Sequence, residues 1–342
     1  MANLPDVKKN FDLKDHNTMG VHANAQYFAS VTSADELRQL LLQPDYKILP
    51  KLMLGGGSNL LFVNDFEGLV IHLNIKDRAV IEENEEELLL QVGAGENWHE
   101  TVMFAVENGW GGIENLSFIP GSVGAAPIQN IGAYGVELEE VFESLEAIDL
   151  ETGISKTFDK KACNFEYRDS VFKKELKGKY IITDVTLRLQ KDPEVNTTYR
   201  ALSESLEEKG ISDPTIKDIS ETVIEIRQSK LPDPAEIGNT GSFFKNPVIP
   251  AEVFKELQKE YPEIPNYPAG DKIKIPAAWL IDRCGWKGKQ IGDAGVHKVH
   301  ALVIVNYGNA TGAEIIELAE KIRSSVFEKF GIVLIPEVNI IT

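Results

Sequence analysis

Two glycine-rich stretches are the first candidates for chemistry, because they present backbone rather than side chains. Seven of the chain's 27 glycines fall within residues 109–138, and the 22 residues from Asn115 to Val136 include no charged side chain. Glycines and alanines let main-chain N–H groups approach an extended anionic ligand such as a pyrophosphate. A tightly packed loop without a ligand is an equally good interpretation of this stretch alone.

An uncharged run of this length also suits a membrane span. Pro120, Pro127, Gln129 and Asn130, together with four glycines, would leave backbone groups unpaired in lipid. We therefore expect the stretch to be buried in protein or wrapped around a ligand.

The second glycine-rich stretch is Leu-Gly-Gly-Gly-Ser-Asn-Leu-Leu-Phe at 54–62, after a strand-like run at 48–54. Leu60 stands where a Rossmann fingerprint requires a third glycine, and the residues after it indicate a turn and a strand, not a helix. No Gly-Lys-Ser/Thr follows, so a Walker loop is excluded as well. Both stretches therefore lie outside the common nucleotide-binding folds.

Three polar residues in separate parts of the chain have side chains suited to catalysis. Arg168 can bind a carboxylate through two parallel hydrogen bonds, Ser242 carries a hydroxyl proton, and Glu337 is a carboxyl between apolar neighbours. Taken without further context, each has a plain structural alternative. These are a surface ion pair of Arg168 with Glu166 or Asp169, a turn at Ser242 before a core strand, and an edge-strand charge at Glu337.

Four motifs in order resemble one family. They are Gly-Gly-Gly-Ser-Asn-Leu-Leu at 55–61, Ile-Pro-Gly-Ser-Val-Gly-Ala-Ala-Pro-Ile-Gln-Asn-Ile-Gly-Ala-Tyr-Gly at 119–135, Tyr-Arg-Asp-Ser at 167–170 and Gly-Ser-Phe-Phe-Lys-Asn-Pro at 241–247. The chain resembles the UDP-N-acetylenolpyruvoylglucosamine reductases, or UDP-N-acetylmuramate dehydrogenases, from about Asn17 to the Pro-Glu-Val near its C-terminus. It is similar to their longer subclass, which has a tyrosine-bearing insertion.

The resemblance implies an α+β fold. An FAD-binding part of the vanillyl-alcohol-oxidase (PCMH) type would be followed by a C-terminal α+β substrate-binding domain. It also implies an activity in peptidoglycan precursor synthesis, the reduction of UDP-N-acetylglucosamine enolpyruvate to UDP-N-acetylmuramate. NADPH would reduce FAD, flavin N5 would deliver hydride to C3 of the vinyl group, and Ser242 would protonate C2.

Site residues carry over from the resemblance motif by motif. Arg168, Ser242 and Glu337 form the implied catalytic set, with Arg168 and Glu337 stabilising the enolic intermediate. Neither glycine-rich loop contains His or Cys, so we expect FAD to bind without a covalent link; His72 and His99 are interpreted as structural. The implied FAD contacts are Gly55, Gly56, Gly57, Ser58 and Asn59 at the pyrophosphate, and Ser122, Gly124, Ala125, Ile131, Gly135, Val136 and Ile182 along the flavin.

The implied substrate contacts are Tyr167, Tyr199, Lys230, Asn246, Tyr267 and His300. Tyr199 would close over the UDP diphosphate. A helix-end lysine, a turn asparagine and half-buried tyrosines are the structural alternatives. His300 departs from the glutamine expected in longer members of the family, which leaves a uridine contact there open.

Composition limits the class of protein. The chain has 342 residues, more than one hydrophobic core usually supports, so two or three domains are expected. A formal charge of −18 disfavours a nucleic-acid surface. Cys163 and Cys284 have no metal-ligand spacing and are predicted to be buried free thiols. No signal peptide is indicated, so we expect a cytoplasmic protein, and a monomer.

Sequence patterns place these residues on strands and short helices. Ser33-Ala34-Asp35-Glu36 predicts a capping box, and Asn97 a helix that ends at Gly109. Strands are predicted at 25–31, 48–54, 69–73, 87–92, 141–149, 180–189, 301–306 and 332–341, and helices at 201–209, 214–230, 250–260, 276–284 and 314–330.

These patterns and the resemblance predict three parts. Residues 17–190 would bind FAD in two subdomains, 17–75 and 76–190; residues 191–220 would form the insertion with Tyr199; residues 221–342 would bind substrate, and their last strand would return to the active site. The alternatives are another FAD-dependent oxidoreductase of the same fold, such as an oxidase of a small alcohol, and a non-catalytic nucleotide-sugar binding protein.

Overall fold

Short strands and helices are mixed without a regular βαβ series in the computed structural model, which describes residues 4–342. The strands are β1 (Val7–Asp12), β2 (Asn24–Val31), β3 (Lys51–Leu54), β4 (Leu60–Phe62), β5 (Phe66–Leu73), β6 (Arg78–Glu83), β7 (Glu87–Gly93), β8 (Gly132–Ala133), β9 (Val136–Glu137), β10 (Phe142–Asp149), β11 (Ser155–Asp159), β12 (Tyr180–Gln190), β13 (Gly238–Ser242), β14 (Val248–Pro250), β15 (Tyr267–Ala269), β16 (Lys272–Lys274), β17 (Gln290–Ile291), β18 (Ala294–Val296), β19 (Val303–Asn306) and β20 (Asn339–Ile341). The α-helices are α1 (Ala34–Leu42), α2 (Pro44–Lys47), α3 (Trp98–Glu107), α4 (Lys160–Cys163), α5 (Arg200–Glu208), α6 (Ile216–Lys230), α7 (Ala251–Glu260), α8 (Ala277–Arg283) and α9 (Gly312–Phe330).

The contacts divide the chain into two units. The first comprises the N-terminal segment ending at Phe11, Ala25–Gly56 and Glu67–Ser229. The second comprises Asp12–Asn24, Gly57–Phe66 and Lys230–Thr342. The boundary between Gly56 and Gly57 falls inside the glycine-rich stretch at 54–62.

A five-stranded sheet in the order β11-β10-β12-β7-β6 is the framework of the first unit. Its neighbours are antiparallel, and β12 lies at the centre, where Val185 pairs with Leu145 on one side and Val92 on the other. Apolar residues of β12 and β7 join α3 in one buried core. The indole N–H of Trp98 donates to Leu116 O at 3.0 Å, which ties α3 to the start of the long glycine-rich stretch.

A second sheet of the first unit has the order β1-β2-β5-β3, and its pair β3–β5 is parallel. Leu37, Leu40 and Leu41 of α1 pack on this sheet in a separate core. Ser33 caps α1 by accepting from Glu36 N–H at 3.2 Å. The predicted reciprocal bond is absent, since the Glu36 carboxylate instead accepts from Thr32 N–H at 2.7 Å.

The insertion after β12 forms α5, which packs against α6 within the first unit. Leu202 and Leu206 of α5 meet Ile219 and Val223 of α6 in a small core of their own. Tyr134 of the long glycine-rich stretch packs against the same cluster. Packing of α5 on α6 thus places the insertion against Tyr134, which lies in the long glycine-rich stretch.

The second unit contains sheets in the orders β13-β19-β18-β17, β14-β16-β15 and β20-β4. Helix α9 begins at a capping box, in which Thr311 Oγ1 accepts from Glu314 N–H at 3.3 Å and the Glu314 carboxylate accepts from Thr311 N–H at 2.7 Å. The buried face of α9 includes Ile315, Ile322 and Val326. The helix ends at Gly331, whose φ of 68° lies in the left-handed region that glycine favours.

Two sequence predictions are corrected here. The strand predicted at 332–341 is limited to Asn339–Ile341, because Pro336 has no N–H and makes only a single bridge, to Phe244. Cys163 is buried as predicted, whereas Cys284 is only partly buried. Burial raises the pKa of the Cys163 thiol to about 12, so this thiol is unreactive at neutral pH.

Among residues 4–342 we find no helix with the length and hydropathy that crossing a membrane requires.

Gly312 provides a test of the second unit. Alanine is the better helix former by about 1 kcal/mol, so helix propensity alone predicts that Gly312→Ala stabilises α9. A Cβ at this position would instead collide with the backbone oxygen of Phe62, which has no room to move. We expect Gly312→Ala to lower the free energy of unfolding by more than about 2 kcal/mol in urea denaturation.

The control is Gly331→Ala at the other end of α9. Its Cβ would meet nothing within 4 Å, so only the left-handed backbone is penalised, by about 1 kcal/mol. A smaller loss for Gly312→Ala than for Gly331→Ala would contradict the packing of Phe62 on α9.

Candidate functional site

The two glycine-rich stretches lie against each other within the first unit. A Cβ on Gly55 would collide with the Ser122 hydroxyl, and a Cβ on Gly56 would lie 3.2 Å from Gly121 Cα. Side chains at 55 and 56 are thus excluded by residues more than sixty positions further along the chain. The approach leaves the backbones of both loops close together.

Asn130 fixes the shape of the long stretch. It is fully buried and has a φ of 41°, a left-handed value that asparagine tolerates better than most residues. Its side-chain N–H groups donate to Glu137 Oε2 at 2.8 Å and Glu166 O at 3.3 Å, and its Oδ1 accepts from Glu139 N–H at 3.0 Å. These bonds connect the loop to the segment that carries Arg168.

The residues predicted along the flavin fall into two groups. Ile131, Val136 and Ile182 belong to the main core of the first unit and supply rigid apolar surface. Ser122 and Gly124 are buried, and Gly124 N–H donates to Ala94 O at 2.9 Å, whereas Ala125 and Gly135 are exposed.

The remaining residues of the glycine-rich stretch at 54–62, from Gly57 onward, belong to the second unit. Gly57 has a φ of 62°, and a Cβ there would collide with His16 O. Asn59 O accepts from Asn339 N–H at 3.0 Å, and Asn59 Nδ2 lies 3.5 Å from Glu337 O. The segment that contains Gly57, Ser58 and Asn59 therefore leads into β4, which pairs with β20, the strand just after Glu337.

Arg168 occupies the tip of a tight turn in the first unit. Glu166 and Asp169 pair across this turn through N–H···O bonds of 3.0 and 3.1 Å, and Arg168 has a φ of 57°. A left-handed arginine is strained by about 1–3 kcal/mol, a cost typical of functional positions. Its guanidinium donates to Gly132 O, in the long glycine-rich stretch at 115–136.

Lys174 forms ion pairs with the two acids that are close to Arg168 in the sequence. Its ammonium lies 2.9 Å from Glu166 Oε2 and 3.1 Å from Asp169 Oδ2. The alternative in which Arg168 pairs with these two acids is therefore wrong, because Lys174 pairs with both. The charge of Arg168 also acts on Glu137: burial raises the pKa of Glu137, and Arg168 opposes that rise.

Ser242 and Glu337 lie on paired segments of the second unit. Glu337 N–H donates to Phe243 O at 2.9 Å, Lys245 N–H donates to Ile335 O at 2.9 Å, and Phe244 bridges Pro336. Phe243 and Phe244 are completely buried and hold this pairing in place. Both Ser242 and Glu337 are partly exposed, so both side chains are accessible to a ligand.

The predicted substrate residues of the first unit are Tyr167 and Tyr199. Tyr167 is 63% exposed and lies beside the Arg168 guanidinium, 5.8 Å from ring centre to Cζ. Tyr199 is 49% exposed and contacts Tyr134 edge to face at 5.2 Å. Asn196 links the segment before Tyr199 to the long glycine-rich stretch, since its Nδ2 donates to Gly135 O at 3.2 Å.

The predicted substrate residues of the second unit are more dispersed. Asn246 Oδ1 accepts from Ala277 N–H at 2.9 Å and so helps to start α8, and Tyr267 lies exposed on β15. Lys230 is exposed at the end of α6. His300 lines a shallow cleft of about 150 Å³ with Trp279, Asp282 and Lys287. Burial lowers the pKa of His300, and His297, Lys230 and Lys287 lower it further, so the imidazole is neutral at pH 7.

The sequence did not mark Lys174, Tyr134 and Arg227, which the structure places in contact with the candidate segments. Tyr134 lies inside a quoted motif but had no assigned role, and Arg227 lies three residues before Lys230 on α6. Lys174 has a weak signal, a basic residue shortly after two acids, and pairing is visible only once the turn is folded.

These residues fit FAD. The close approach of Gly55 and Gly56 to Ser122 and Gly121 provides bare backbone for a diphosphate, and the apolar wall of Ile131, Val136 and Ile182 suits a flat ring. Asn115 Oδ1 is buried without a hydrogen-bond partner in the part of the chain that the structure describes. A ligand that presents N–H or O–H donors would satisfy it.

Comparison with known proteins agrees with this interpretation. Residues 25–158 match the family model "FAD binding domain", and residues 233–341 match "UDP-N-acetylenolpyruvoylglucosamine reductase, C-terminal domain". The reductase of Amoebophilus asiaticus is 53% identical over 337 residues, with 98% of this chain and 99% of the relative covered. That of Flavobacterium johnsoniae is 47% identical over 338 residues, covering 98% and 100%. The crystal structure of the reductase from Thermus caldophilus superposes with a TM-score of 0.69 at 25% identity, covering 99% of both chains.

The FAD-binding domain and the site define the class, an FAD-dependent oxidoreductase. The extent of similarity then identifies the family: the chain belongs to the UDP-N-acetylenolpyruvoylglucosamine reductases. The predicted family, the α+β fold with a vanillyl-alcohol-oxidase-type FAD-binding domain, and the FAD cofactor are thereby confirmed.

The contact between the two glycine-rich loops can be tested by a pair of substitutions. We expect Gly55→Ala to destabilise the protein by about 1–3 kcal/mol and to reduce the FAD retained on purification, because its Cβ collides with Ser122 Oγ. In Gly55→Ala/Ser122→Ala the colliding oxygen is gone, and most of the stability should return. Thermal unfolding and the absorbance of bound flavin are the measurements; a double variant as unstable as Gly55→Ala alone would show that the loops do not meet there.

Proposed function

We propose that this protein catalyses the NADPH-dependent reduction of UDP-N-acetylglucosamine enolpyruvate to UDP-N-acetylmuramate, a step of peptidoglycan precursor synthesis. Membership of the reductase family supports the proposal, since the similar proteins carry that activity in their names and are matched over nearly their whole length. The structural observation that carries it is the pairing of Phe243 with Glu337, which brings Ser242 and Glu337 to neighbouring positions.

Bound FAD would supply the hydride chemistry, taking hydride from NADPH and delivering it to C3 of the vinyl group. Arg168 would bind the substrate carboxylate, into which negative charge spreads when C3 receives hydride. A guanidinium suits this role because it is always protonated and can form two parallel hydrogen bonds to a carboxylate. Its release from Glu166 and Asp169 by Lys174 supports the assignment.

Ser242 would donate the proton to C2. An alcohol is a very weak acid, but an enolic carbon is basic enough to accept its proton if neighbours stabilise the alkoxide. Ser242 ends β13 beside two buried phenylalanines, so its position is rigid. Glu337, on the paired segment, would interact with the enolic intermediate from the second unit.

The remaining residues would position the substrate. Tyr167 and Tyr199 are aromatic and exposed, Lys230 is an exposed cation, and His300 is a neutral imidazole in a cleft. A cation suits the UDP diphosphate, and exposed tyrosines suit a ligand that arrives from solvent. Asn246 would act through its amide N–H groups, because its oxygen is bonded to Ala277 N–H. Tyr267 is assigned with these five, and a cytoplasmic monomer is the state we expect.

The proposed reaction can be tested under anaerobic conditions in two additions. One equivalent of NADPH should bleach the flavin band, and UDP-N-acetylglucosamine enolpyruvate should then restore it with formation of UDP-N-acetylmuramate. A band that bleaches but does not return would show that the acceptor is wrong. Protein that holds no flavin after addition of FAD would favour a nucleotide-sugar binding protein.

Ser242→Ala separates the two half-reactions. We expect flavin reduction by NADPH to be unchanged and reoxidation by the enolpyruvyl substrate to slow by about 10²–10⁴-fold, the usual contribution of a general acid. Both rates are measured by stopped-flow absorbance. Ser212→Ala, in an exposed loop, is the matched control and should behave as wild type. Equal loss of both half-reactions in Ser242→Ala would rule out its role as the acid.

A further inference from the structure

Arg227 is a cation that the residue assignments above leave without a role. It lies in the last turns of α6, and its side chain is partly buried. Its Nε donates to Phe118 O at 3.0 Å. Phe118 has a left-handed φ of 59° and leads directly into the long glycine-rich stretch. Arg227 also hydrogen-bonds the Tyr134 phenol, so these two partners account for two of the five N–H donors of the guanidinium.

The groups that face Arg227 in the first unit are neutral or positive. Burial lowers the pKa of Arg227, Arg168 lowers it further, and Tyr134 opposes both. His99 Nδ1 accepts from Phe118 N–H at 3.1 Å, as only an unprotonated nitrogen can. Burial and Arg227 lower the pKa of His99, which keeps it neutral. Among residues 4–342, the group that raises the pKa of Arg227 is the Tyr134 phenol, and no carboxylate contributes.

Counting the nearby charges leaves an excess of positive charge. Arg168 and Arg227 both stay protonated, since guanidinium does not lose its proton in proteins. The charge of Arg168 acts on Glu137, whose pKa is raised by burial. A partly buried cation without a carboxylate partner is stabilised when a ligand supplies the anion. Tyr134, which interacts with Arg227, also contacts Tyr199 of the insertion.

We propose that Arg227 is a second oxyanion-binding residue of the reductase site, acting beside Tyr134 on a planar, delocalised oxyanion. This inference rests on the proposed function. Two ligands there have this chemistry: the reduced flavin, with negative charge at N1 and the C2 oxygen, and the substrate, with its carboxylate. Because hydride transfer moves negative charge from the first to the second, a fixed guanidinium at this position would stabilise the charge without reorganisation.

The test compares Arg227→Met, which removes the charge, with Arg227→Lys, which keeps it. The control is Arg38→Met, which removes a positive charge of the same unit from an ion pair with Asp35 on α1. Three quantities are measured on each FAD-loaded protein: the two-electron reduction potential without substrate, the dissociation constant of UDP-N-acetylmuramate from the flavin spectrum, and the thermal unfolding temperature. None of them requires turnover.

A flavin ligand predicts a lower potential for Arg227→Met, by about 30 mV for each tenfold loss in relative affinity for the reduced form. A carboxylate ligand predicts at least about tenfold weaker binding of UDP-N-acetylmuramate at unchanged potential. In either case Arg227→Lys should stay close to wild type, as should Arg38→Met.

Two results would overturn the inference. One is a potential and a dissociation constant in Arg227→Met that match Arg38→Met. The other is an equal change in Arg227→Lys and Arg227→Met, which would show that anchoring of Phe118 matters and charge does not. Failure of the proposed function is distinguishable from both, because the wild-type protein would then lack flavin or would not form UDP-N-acetylmuramate.

Discussion

The close approach of two backbones is the constraint on which the site depends. Gly55 and Gly56 can lie against Ser122 and Gly121 only because no Cβ intervenes. This approach costs conformational entropy, since glycine loses more freedom on folding than any other residue. The rigid sheet beneath offsets that cost: β7 pairs along its whole length with residues 184–190 of β12, and Gly124 N–H donates to Ala94 O just beyond the end of β7.

Charge in this protein is arranged locally against its overall sign. The formal charge of −18 would repel an anionic nucleotide sugar in general. Within the first unit, however, Lys174 binds the two acids that flank Arg168, and among the described residues no carboxylate shifts the pKa of Arg227. The result is a small positive region beside uncharged loops. Residues 115–136 include no acid that could pair with Arg168 or Arg227. Both guanidinium groups therefore keep their positive charge uncompensated by this loop, as the proposed binding of an anionic ligand requires.

The sequence was a good guide where a pattern is local and a poor one where pairing is long-range. Ser33, Asn97 and Thr311 each cap a helix by accepting a hydrogen bond from the N–H three positions further on. The sequence predicted the three helices that follow, and their observed bounds differ from the predicted ones by only a few residues. The C-terminal strand was predicted too long, because apolar alternation continues through Pro336 although its backbone cannot pair fully. Motif matching assigned Arg168, but it could not tell which cation would bind Glu166 and Asp169. That choice depends on the turn that brings Lys174 back to them.

The same contrast explains why the sequence offered Ser242 and Glu337 as candidates but not Arg227. Ser242 lies in a contiguous motif, and Glu337 lies in a short one, so resemblance alone could mark both. Arg227 is recognised only by what surrounds it: a carbonyl at Phe118, a neutral His99, a phenol at Tyr134 and a second guanidinium at Arg168. No spacing in the chain predicts that these groups converge, because they come from α3, α6 and three separate loops. The surroundings of Arg227 are therefore a property of the folded unit, and they can be recognised only there.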